Sequence, residues 1–332
     1  MATTFKTLNS ANDVTSTRTL LHEAIPLTGT IASGTYTDNN IKTYSHGMFE
    51  SVYDYPYLSS SANHIFDITT GYASNSTLSG AASVQNSKKL NIYSQMAQVL
   101  VGYDATGSIQ SFDQDGDIAG GGTKIKEPLF VNFSRLLTKD EMKKGSFSMS
   151  FLTGGTSAAR THLMTVADHG AATSYKVNSP AGEYGILYTG SEALAGTGVG
   201  LIYYQAGVAV LTGSVFESAS MGPGVTVATG YSAIATGSTI DVMANCYRNR
   251  LHNISFNNTV ELNSTVYFCR ASHNEFNYSN NPTYLSESQI RVKNSTTDNP
   301  VSYVTTVGLY SSDNELLAVA KLSEPLKKDP ST

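Results

Sequence analysis

The chain has 332 residues, which is long enough to bury a large core and corresponds to about two domains of ordinary size. Its formal net charge is −5 and its lysines and arginines are scattered, which argues against a nucleic-acid partner because nucleic-acid binders need clustered basic residues. The first residues show no basic segment followed by an apolar run, and no stretch of about 18 apolar residues occurs, so we predict neither a secretory signal nor a membrane-spanning helix.

Charged residues make up only 14% of the chain, against roughly a quarter in average globular proteins. Ser, Thr, Asn, Gly and Tyr replace them. Uncharged polar residues suit the faces and turns of β-sheets, and they also suit interfaces, where charged groups are costly to desolvate. The composition therefore fits either an ordinary all-β protein or a surface shaped for assembly.

Helices are predicted mainly in the N-terminal part of the chain. Apolar positions within residues 13–24 could line one helical face, with Pro26 ending the helix. A stronger helical pattern covers residues 86–101. Residues 138–141 have the spacing of a capping box, which predicts a third, short helix closed by Gly145.

A tyrosine-rich stretch lies between the first two predicted helices. Tyr53, Tyr55 and Tyr57 occur at alternate positions, so they would share one face if the backbone were extended. Pro56 argues against an interior strand, because proline cannot donate to a sheet ladder. The stretch is therefore predicted to lie outside the central part of a sheet.

From about Gly145 onward the pattern changes to β. Phe147, Met149 and Phe151 alternate with small polar residues and are predicted to point into a core. Residues 183–188 are predicted to form a further strand.

A hairpin is predicted within residues 199–212. Leu201 and Tyr203 would lie on one of its faces, and Ile202 and Tyr204 on the other. Both faces must therefore be covered, either inside a β-sandwich or by a second subunit.

The last third of the chain combines a long loop with further strands. Residues 213–239 are rich in Gly, Ser, Ala and Thr and lack periodicity, so we predict a long loop there. Residues 259–270 are predicted to form one or two strands. A C-terminal hairpin is predicted over residues 301–322.

These elements predict a mainly β fold with a few short helices and a β-sandwich-like core. We expect a mixed N-terminal region over residues 1–145, which holds most of the helices, and a β-rich region over residues 146–332.

Motifs for catalysis or for metal binding are missing from the sequence. No pair among the seven histidines has the spacing of a metal site, and no Gly-X-Ser-X-Gly motif occurs. Cys246 and Cys269 are too few for a disulfide framework or a zinc site, although one bridge between them stays open. We expect no enzyme, no cofactor and no metal.

An acidic run most closely approaches a metal motif. Asp113, Asp115 and Asp117 alternate beside glycines, as hard-cation ligands do. However, the first glycine stands at the fourth position, and Lys124 stands where a calcium loop has its glutamate. An acidic turn is therefore the better interpretation.

Five stretches together carry a family resemblance. They are YSHGMF at 44–49, VGLIYYQAGVAVLT at 199–212, NEFNYSNNPTY at 274–284, YVTTVGLY at 303–310 and LLAVAKLSEPLKK at 316–328. As a set they resemble virion structural proteins of contractile-tailed marine and cyanobacterial bacteriophages. The resemblance implies many copies on a symmetric particle, no cofactor, and function through docking surfaces.

The sequence therefore predicts a tail or baseplate subunit of a bacteriophage virion, made in the host cytoplasm. A capsid, neck or collar component is the alternative, and a receptor- or carbohydrate-binding module is an alternative of another class. The expected partners are other virion structural proteins and copies of the same chain, with no nucleic acid and no membrane. The predicted interface residues are Tyr53, Tyr55, Tyr57, Tyr203, Tyr204, Tyr303 and Tyr310.

Overall fold

A computed structural model describes residues 5–26, 38–118, 120–155, 160–189, 198–217, 230–279 and 299–332, together with residues 282, 284–287, 289–290, 295 and 297. The strands are β1 Val14–Pro26, β2 Ile41–Thr43, β3 Glu50–Tyr53, β4 His64–Thr70, β5 Phe112–Asp113, β6 Lys124–Ile125, β7 Pro128–Phe133, β8 Glu141–Met142, β9 Ser148–Gly155, β10 Arg160–Ala167, β11 Tyr184–Thr189, β12 Gly200–Tyr203, β13 Val208–Thr212, β14 Leu251–Tyr267, β15 Leu285–Ser286, β16 Gln289–Ile290, β17 Ser302–Tyr310 and β18 Leu316–Lys328. The helices are α1 Asn86–Leu100, α2 Arg135–Thr138, α3 Ala171–Ser174, α4 Gly230–Gly237 and α5 Ile240–Arg250, and 3₁₀ turns cover Asp38–Asn40 and Gly213–Phe216.

Strands dominate the described residues, so the fold is mainly β, as predicted. The predicted concentration of helices before residue 145 is wrong, because α3, α4 and α5 follow that residue. The chain divides into a smaller unit, Met1–Arg18 with Asn263–Thr332, and a larger unit, Thr19–Leu262. This division differs from the predicted boundary at residue 145. Strands from both sides of that residue join one sheet, so the sequence cannot be cut there into compact parts.

In the described part of the chain, the main sheet has twelve strands. Eleven follow one another in the order β1-β14-β9-β10-β11-β12-β13-β7-β4-β3-β2, and β8 pairs with β14. From β14 to β2 every neighbouring pair is antiparallel. The hairpin β12–β13 therefore lies in the middle of the sheet.

Both faces of this central hairpin are buried, which confirms the pattern read from the sequence. Tyr203 belongs to an apolar cluster on one face, together with side chains of α1 and of the β5–β6 hairpin. Tyr204 belongs to a second cluster on the other face, with side chains of α5, β9 and β14. The layers that cover the hairpin come from the chain itself, so no second subunit is needed there.

The second cluster has the character of a sandwich core. Phe147, Met149 and Phe151 are buried in it, as predicted. The ring centroid of Phe133 on β7 lies 5.9 Å from that of Phe147 and 5.4 Å from that of Phe256 on β14. Strands that are distant in the sheet order therefore pack their inner faces against each other.

Helix α1 confirms the helix predicted at residues 86–101, whereas the helix predicted at residues 13–24 is wrong. These residues form strand β1, which pairs with β14. The helical pattern depended on apolar positions such as Leu20 and Leu21, and both side chains are exposed. β-branched residues at the start of β1 favour a strand, and pairing with β14 supplies its hydrogen bonds.

Two further predictions need correction. Helix α2 ends at Thr138, and Glu141 pairs with Thr259 of β14, so the predicted capping box does not form. The predicted loop at 213–239 has a 3₁₀ turn at its start and helix α4 near its end, while residues 218–229 lie outside the described residues. Apolar side chains of α4 enter the core, which stabilises a helix in this glycine-rich sequence.

The C-terminal hairpin forms as β17 and β18. It continues to Lys328, where Lys328 pairs with Ser302, so the strand is longer than the predicted end at residue 322.

Candidate assembly surface

The smaller unit buries no apolar side chain among its described residues. All the buried apolar residues of the described chain lie between Ile41 and Phe256, in the larger unit. The buried residues of the smaller unit are polar: Asp13, Ser302, Lys328 and Asp329. A unit of this size ordinarily needs an apolar core to be stable in water.

Polar contacts hold the smaller unit together instead. The Arg270 guanidinium donates to Asp13 Oδ1 from both Nε and a terminal nitrogen, and Lys6 Nζ lies 2.5 Å from Glu275 Oε2. The hydrogen bond from Arg270 lowers the pKa of Asp13, and the one from Lys6 lowers the pKa of Glu275. Both carboxylates are therefore ionised at neutral pH.

The open end of the β17–β18 hairpin is anchored through Lys328. Its ammonium lies 2.8 Å from Asn277 Oδ1, 2.9 Å from Asp329 O, 2.8 Å from Thr332 O and 3.3 Å from His273 O. Hydrogen bonds to these oxygens offset the free-energy cost of burying the ammonium group. The hairpin is thus held at one end by hydrogen bonds rather than by a packed face.

Large apolar side chains on the hairpin remain exposed. Tyr303 is 51% exposed, Tyr310 46%, Leu316 52%, Val319 55% and Leu326 60%. A two-stranded hairpin without a covered face is at best marginally stable in water. The described residues cover this hairpin only in part, so a further surface packed on it would stabilise it.

Further apolar residues of the smaller unit are exposed outside the hairpin. They include Phe5, Val266, Tyr267, Phe268, Phe276 and Tyr278. The ring of Phe5 lies 4.9 Å from the ring of Tyr310. We call the exposed apolar residues of the hairpin, together with Phe5, the hairpin surface.

The structure separates the seven predicted interface tyrosines into three groups. Tyr203 and Tyr204 are fully buried in the core, so neither is available for docking and this part of the prediction is wrong. Tyr303 and Tyr310 are exposed on the hairpin. The remaining three lie at and after the end of β3.

Those three tyrosines do not share one face of a strand. Strand β3 ends at Tyr53, and the chain then turns, so Tyr55 is 57% exposed and Tyr57 37%. The rings of Tyr53 and Tyr57 are 6.4 Å apart, and that of Tyr53 is 5.5 Å from His64. They form a small exposed aromatic group near the β2 edge of the sheet.

Ser51, His64 and Asp67 form a polar group next to these rings, but their order differs from that of a hydrolase catalytic triad. Asp67 Oδ1 accepts from Ser51 Oγ at 2.5 Å and lies 2.7 Å from His64 Nε2. In a nucleophilic triad the histidine must stand between the serine and the aspartate. Here the aspartate stands between the other two, so the group joins β3 to β4 without an activated nucleophile.

The acidic run at 113–117 closes around a lysine. Lys124 Nζ lies 2.8 Å from Asp113 Oδ2 and 2.8 Å from Asp117 O. Asp113 Oδ1 accepts the backbone N–H groups of Asp115 and Asp117, each at 3.0 Å. An ammonium group thus lies where a calcium loop would bind its cation.

Other chemical features are few in the described part of the chain. No group of three or more His, Cys, Asp or Glu side chains is placed there to hold a metal, and none of its helices is long and apolar enough to cross a membrane. Cys246 is buried and Cys269 exposed, and these two described residues form no disulfide with each other.

Sequence reasoning found the hairpin but missed most of its surface. Leu316 and Val319 fall in the predicted second strand without an assigned exposed face, Leu326 lies beyond the predicted end at residue 322, and no sequence pattern singles out Phe5. The signal available was that β18 carries apolar residues at consecutive positions, which no single buried face can accommodate. Comparison with known proteins adds no further assignment, because no family model, curated protein or solved structure matches the chain.

Proposed function

We propose that this protein is a structural subunit of a bacteriophage virion that docks onto its neighbours through the hairpin surface. One observation carries the proposal: among the described residues, the smaller unit exposes many of its large apolar side chains and fully buries none. Contiguous exposed apolar surface on a soluble protein marks a site of interaction. The low charge of the chain fits such a role.

The energetics favour a role in a repeating assembly. Full burial of a large apolar side chain contributes about 1.5–3 kcal/mol, so covering the half-exposed residues of this surface contributes about 1 kcal/mol for each of them. Association itself costs at least about 4 kcal/mol. A single contact of this kind is weak, and contacts repeated by symmetry on a particle become strong together.

The tail or baseplate is the proposed position, because the five stretches described above resemble proteins of contractile-tailed phages. The capsid, neck and collar are the alternative positions, and the same surface would serve there.

Immunogold labelling of phage particles tests the proposal. Antibodies raised against the purified chain are applied to particles from a culture that carries the gene. Gold at the tail end is the expected result, and gold at the head or the collar would select the alternative position. Particles without gold, under conditions in which antibodies to another virion protein do label, would exclude a virion role.

A second candidate function is carbohydrate binding by the aromatic group near the β2 edge. Exposed rings of Tyr55 and Tyr57 beside Tyr53 and His64 offer faces on which a sugar could stack. The amide of Asn40 donates to Tyr53 O and Asp54 O, and that of Asn63 donates to Asp54 Oδ2 and Ser61 O, so both amides hold the backbone beside these rings. A glycan array probed with the purified chain tests this candidate. Binding that is lost in Tyr57→Ala is the expected result, and no binding to any glycan on the array would exclude carbohydrate binding.

A further inference from the structure

A row of polar side chains crosses four neighbouring strands at the β2 end of the main sheet. In register order its members are Lys42 on β2, Ser51 on β3, Asp67 on β4 and Asn132 on β7. Neighbours along a strand point to opposite faces, and Val52, which follows Ser51, is buried in the second apolar cluster. The four polar side chains therefore share the face that points away from that cluster. We call them the polar row.

Aromatic rings flank the polar row on two sides. On one side the Tyr44 hydroxyl lies 3.2 Å from Ser51 Oγ, and the ring of Phe49 lies 4.8 Å from that of Tyr44. On the other side Tyr53 follows Ser51 by two positions in β3, and its ring lies 5.5 Å from that of His64. The polar row is therefore a floor between two groups of rings.

One carboxylate oxygen of the polar row is open to a ligand. Ser51 and His64 both contact Asp67 through Oδ1. Oδ2 has no hydrogen-bond partner in the described part of the chain, and it is not one of the buried unpartnered atoms found there. The Asp67 side chain is 25% exposed. Oδ2 can therefore accept a hydrogen bond from a molecule in solution.

The Asn132 amide is open in the same way. Asn132 lies opposite Asp67 in the antiparallel register of β4 and β7, and it is half-buried. Its side chain makes no hydrogen bond to a described residue. The Cβ atoms of two opposed residues lie about 4.5–5.5 Å apart. A free carboxylate oxygen and a free amide thus lie side by side.

Two adjacent hydroxyl groups of a sugar ring match this pair of side chains. Asp67 Oδ2 accepts from one hydroxyl, and the Asn132 amide can donate to the second or accept from it. The flanking rings add flat apolar faces for the C–H side of the sugar. The polar row has one basic and one acidic side chain, Lys42 and Asp67, so its charge favours a neutral sugar over an acidic one.

We propose that the polar row binds a neutral saccharide, with two adjacent hydroxyl groups on Asp67 Oδ2 and the Asn132 amide. The sugar ring then packs against the aromatic group that contains Tyr53. This inference rests on the carbohydrate-binding candidate described above. It moves the ligand from the exposed rings to the face of the sheet, and it names the charge class of the ligand.

Glycan binding by matched variants tests the inference. The probe is an array of neutral and acidic oligosaccharides, followed by calorimetric titration with the glycan that binds most strongly. Asn132→Ala should weaken binding about tenfold, because it removes a hydrogen-bonding group of the site. Urea unfolding should change little, since this side chain has no hydrogen bond to lose within the described residues. Thr43→Ala is the control, because Thr43 is exposed and follows Lys42 on the opposite face of β2, and it should bind like the parent chain.

The possible results separate this inference from the other proposals. A neutral glycan that binds the parent and Asn132→Ala equally but not Tyr57→Ala would overturn the polar row and still support carbohydrate binding by the exposed rings. A preference for acidic glycans would overturn the inferred ligand class. No binding to any glycan would overturn the inference together with the carbohydrate candidate, while gold on phage particles would still support the virion role.

Discussion

Tyr203 and Tyr204 are adjacent residues at the centre of the sheet, but their hydroxyl groups differ in hydrogen bonding. The Tyr204 hydroxyl donates to Asp168 Oδ2 at 2.8 Å. The Tyr203 hydroxyl is buried and has no hydrogen-bond partner among the described residues. Both rings contribute apolar packing, but only one hydroxyl contributes a hydrogen bond.

Replacing each of these tyrosines by phenylalanine should therefore give opposite results. Tyr204→Phe leaves the Asp168 carboxylate with one donor fewer and should lower the free energy of unfolding by about 1–3 kcal/mol. Tyr203→Phe removes an unpartnered buried hydroxyl and should be neutral or stabilising. Urea unfolding of the two variants measures this difference, and equal losses would contradict the assigned contacts.

Asp168 should make stability depend on pH. Burial raises the pKa of Asp168 from 3.8 to about 6, although hydrogen bonds from Tyr204, Gly145 and Phe147 offset part of the rise. Because the folded-state pKa exceeds the unfolded value, the folded chain binds this proton more tightly between pH 4 and 6. The free energy of unfolding should fall by up to about 3 kcal/mol as the pH rises through that range.

The variant Asp168→Asn isolates this contribution. It should be less stable than the parent chain at pH 7, because an amide cannot accept all three hydrogen bonds. It should also lack the part of the pH dependence that belongs to Asp168. Parallel stability curves for parent and variant from pH 4 to 7 would refute the assignment.

At the scale of elements, helix α1 lies directly against the end of strand β4. A Cβ built on Gly71 would be 2.6 Å from Lys89 O and 3.0 Å from Tyr93 N. Lys89 is itself buried and donates to Ala235 O at 2.6 Å and Ser238 O at 2.7 Å, at the end of α4. The position of α1 therefore depends on a close backbone approach at Gly71.

Gly71→Ala should displace α1 and lower the free energy of unfolding by about 1–3 kcal/mol. Gly80→Ala is the matched control, since a Cβ there meets nothing within 4 Å. The control should leave stability unchanged or slightly higher, because alanine restricts the unfolded chain. Thermal unfolding of the two variants checks the prediction, and a Gly71→Ala variant as stable as the control would contradict it.

At the scale of the whole molecule, the two units depend on different forces. The larger unit has two apolar clusters, whereas the described part of the smaller unit depends on ion pairs and hydrogen bonds. The smaller unit should therefore open more readily in the isolated chain. Docking would then stabilise it.

Acid should loosen the smaller unit first. The pKa values of Asp13 and Glu275 are lowered by Arg270 and Lys6. Carboxylates with lowered folded-state pKa values stabilise the fold above their unfolded values, and this stabilisation is lost as the pH falls below about 4. Hydrogen exchange at pH 3 and pH 6, corrected for intrinsic rates, should show protection lost in residues 263–279 and 302–328 before the larger unit.

Arg270→Gln serves as the control for this prediction. It should loosen the same segments at pH 6, because it removes the cation that Asp13 requires. A loss of protection spread evenly over both units on acidification would contradict a separate polar anchoring of the smaller unit.

The sequence by itself determined the elements whose signal is local. Periodicity alone predicted α1, the inward side chains Phe147, Met149 and Phe151, the two-sided apolar hairpin β12–β13 and the C-terminal hairpin.

The tertiary structure decided what covers each face. Residues 14–26 form a strand because β14, more than two hundred residues away, pairs with them. Tyr203 and Tyr204 are core residues because α1, α5 and distant strands cover them, whereas the ring of Phe5, 4.9 Å from that of Tyr310, leaves Tyr310 46% exposed. Local patterns specify which faces are apolar, but burial depends on contacts between segments far apart in the chain.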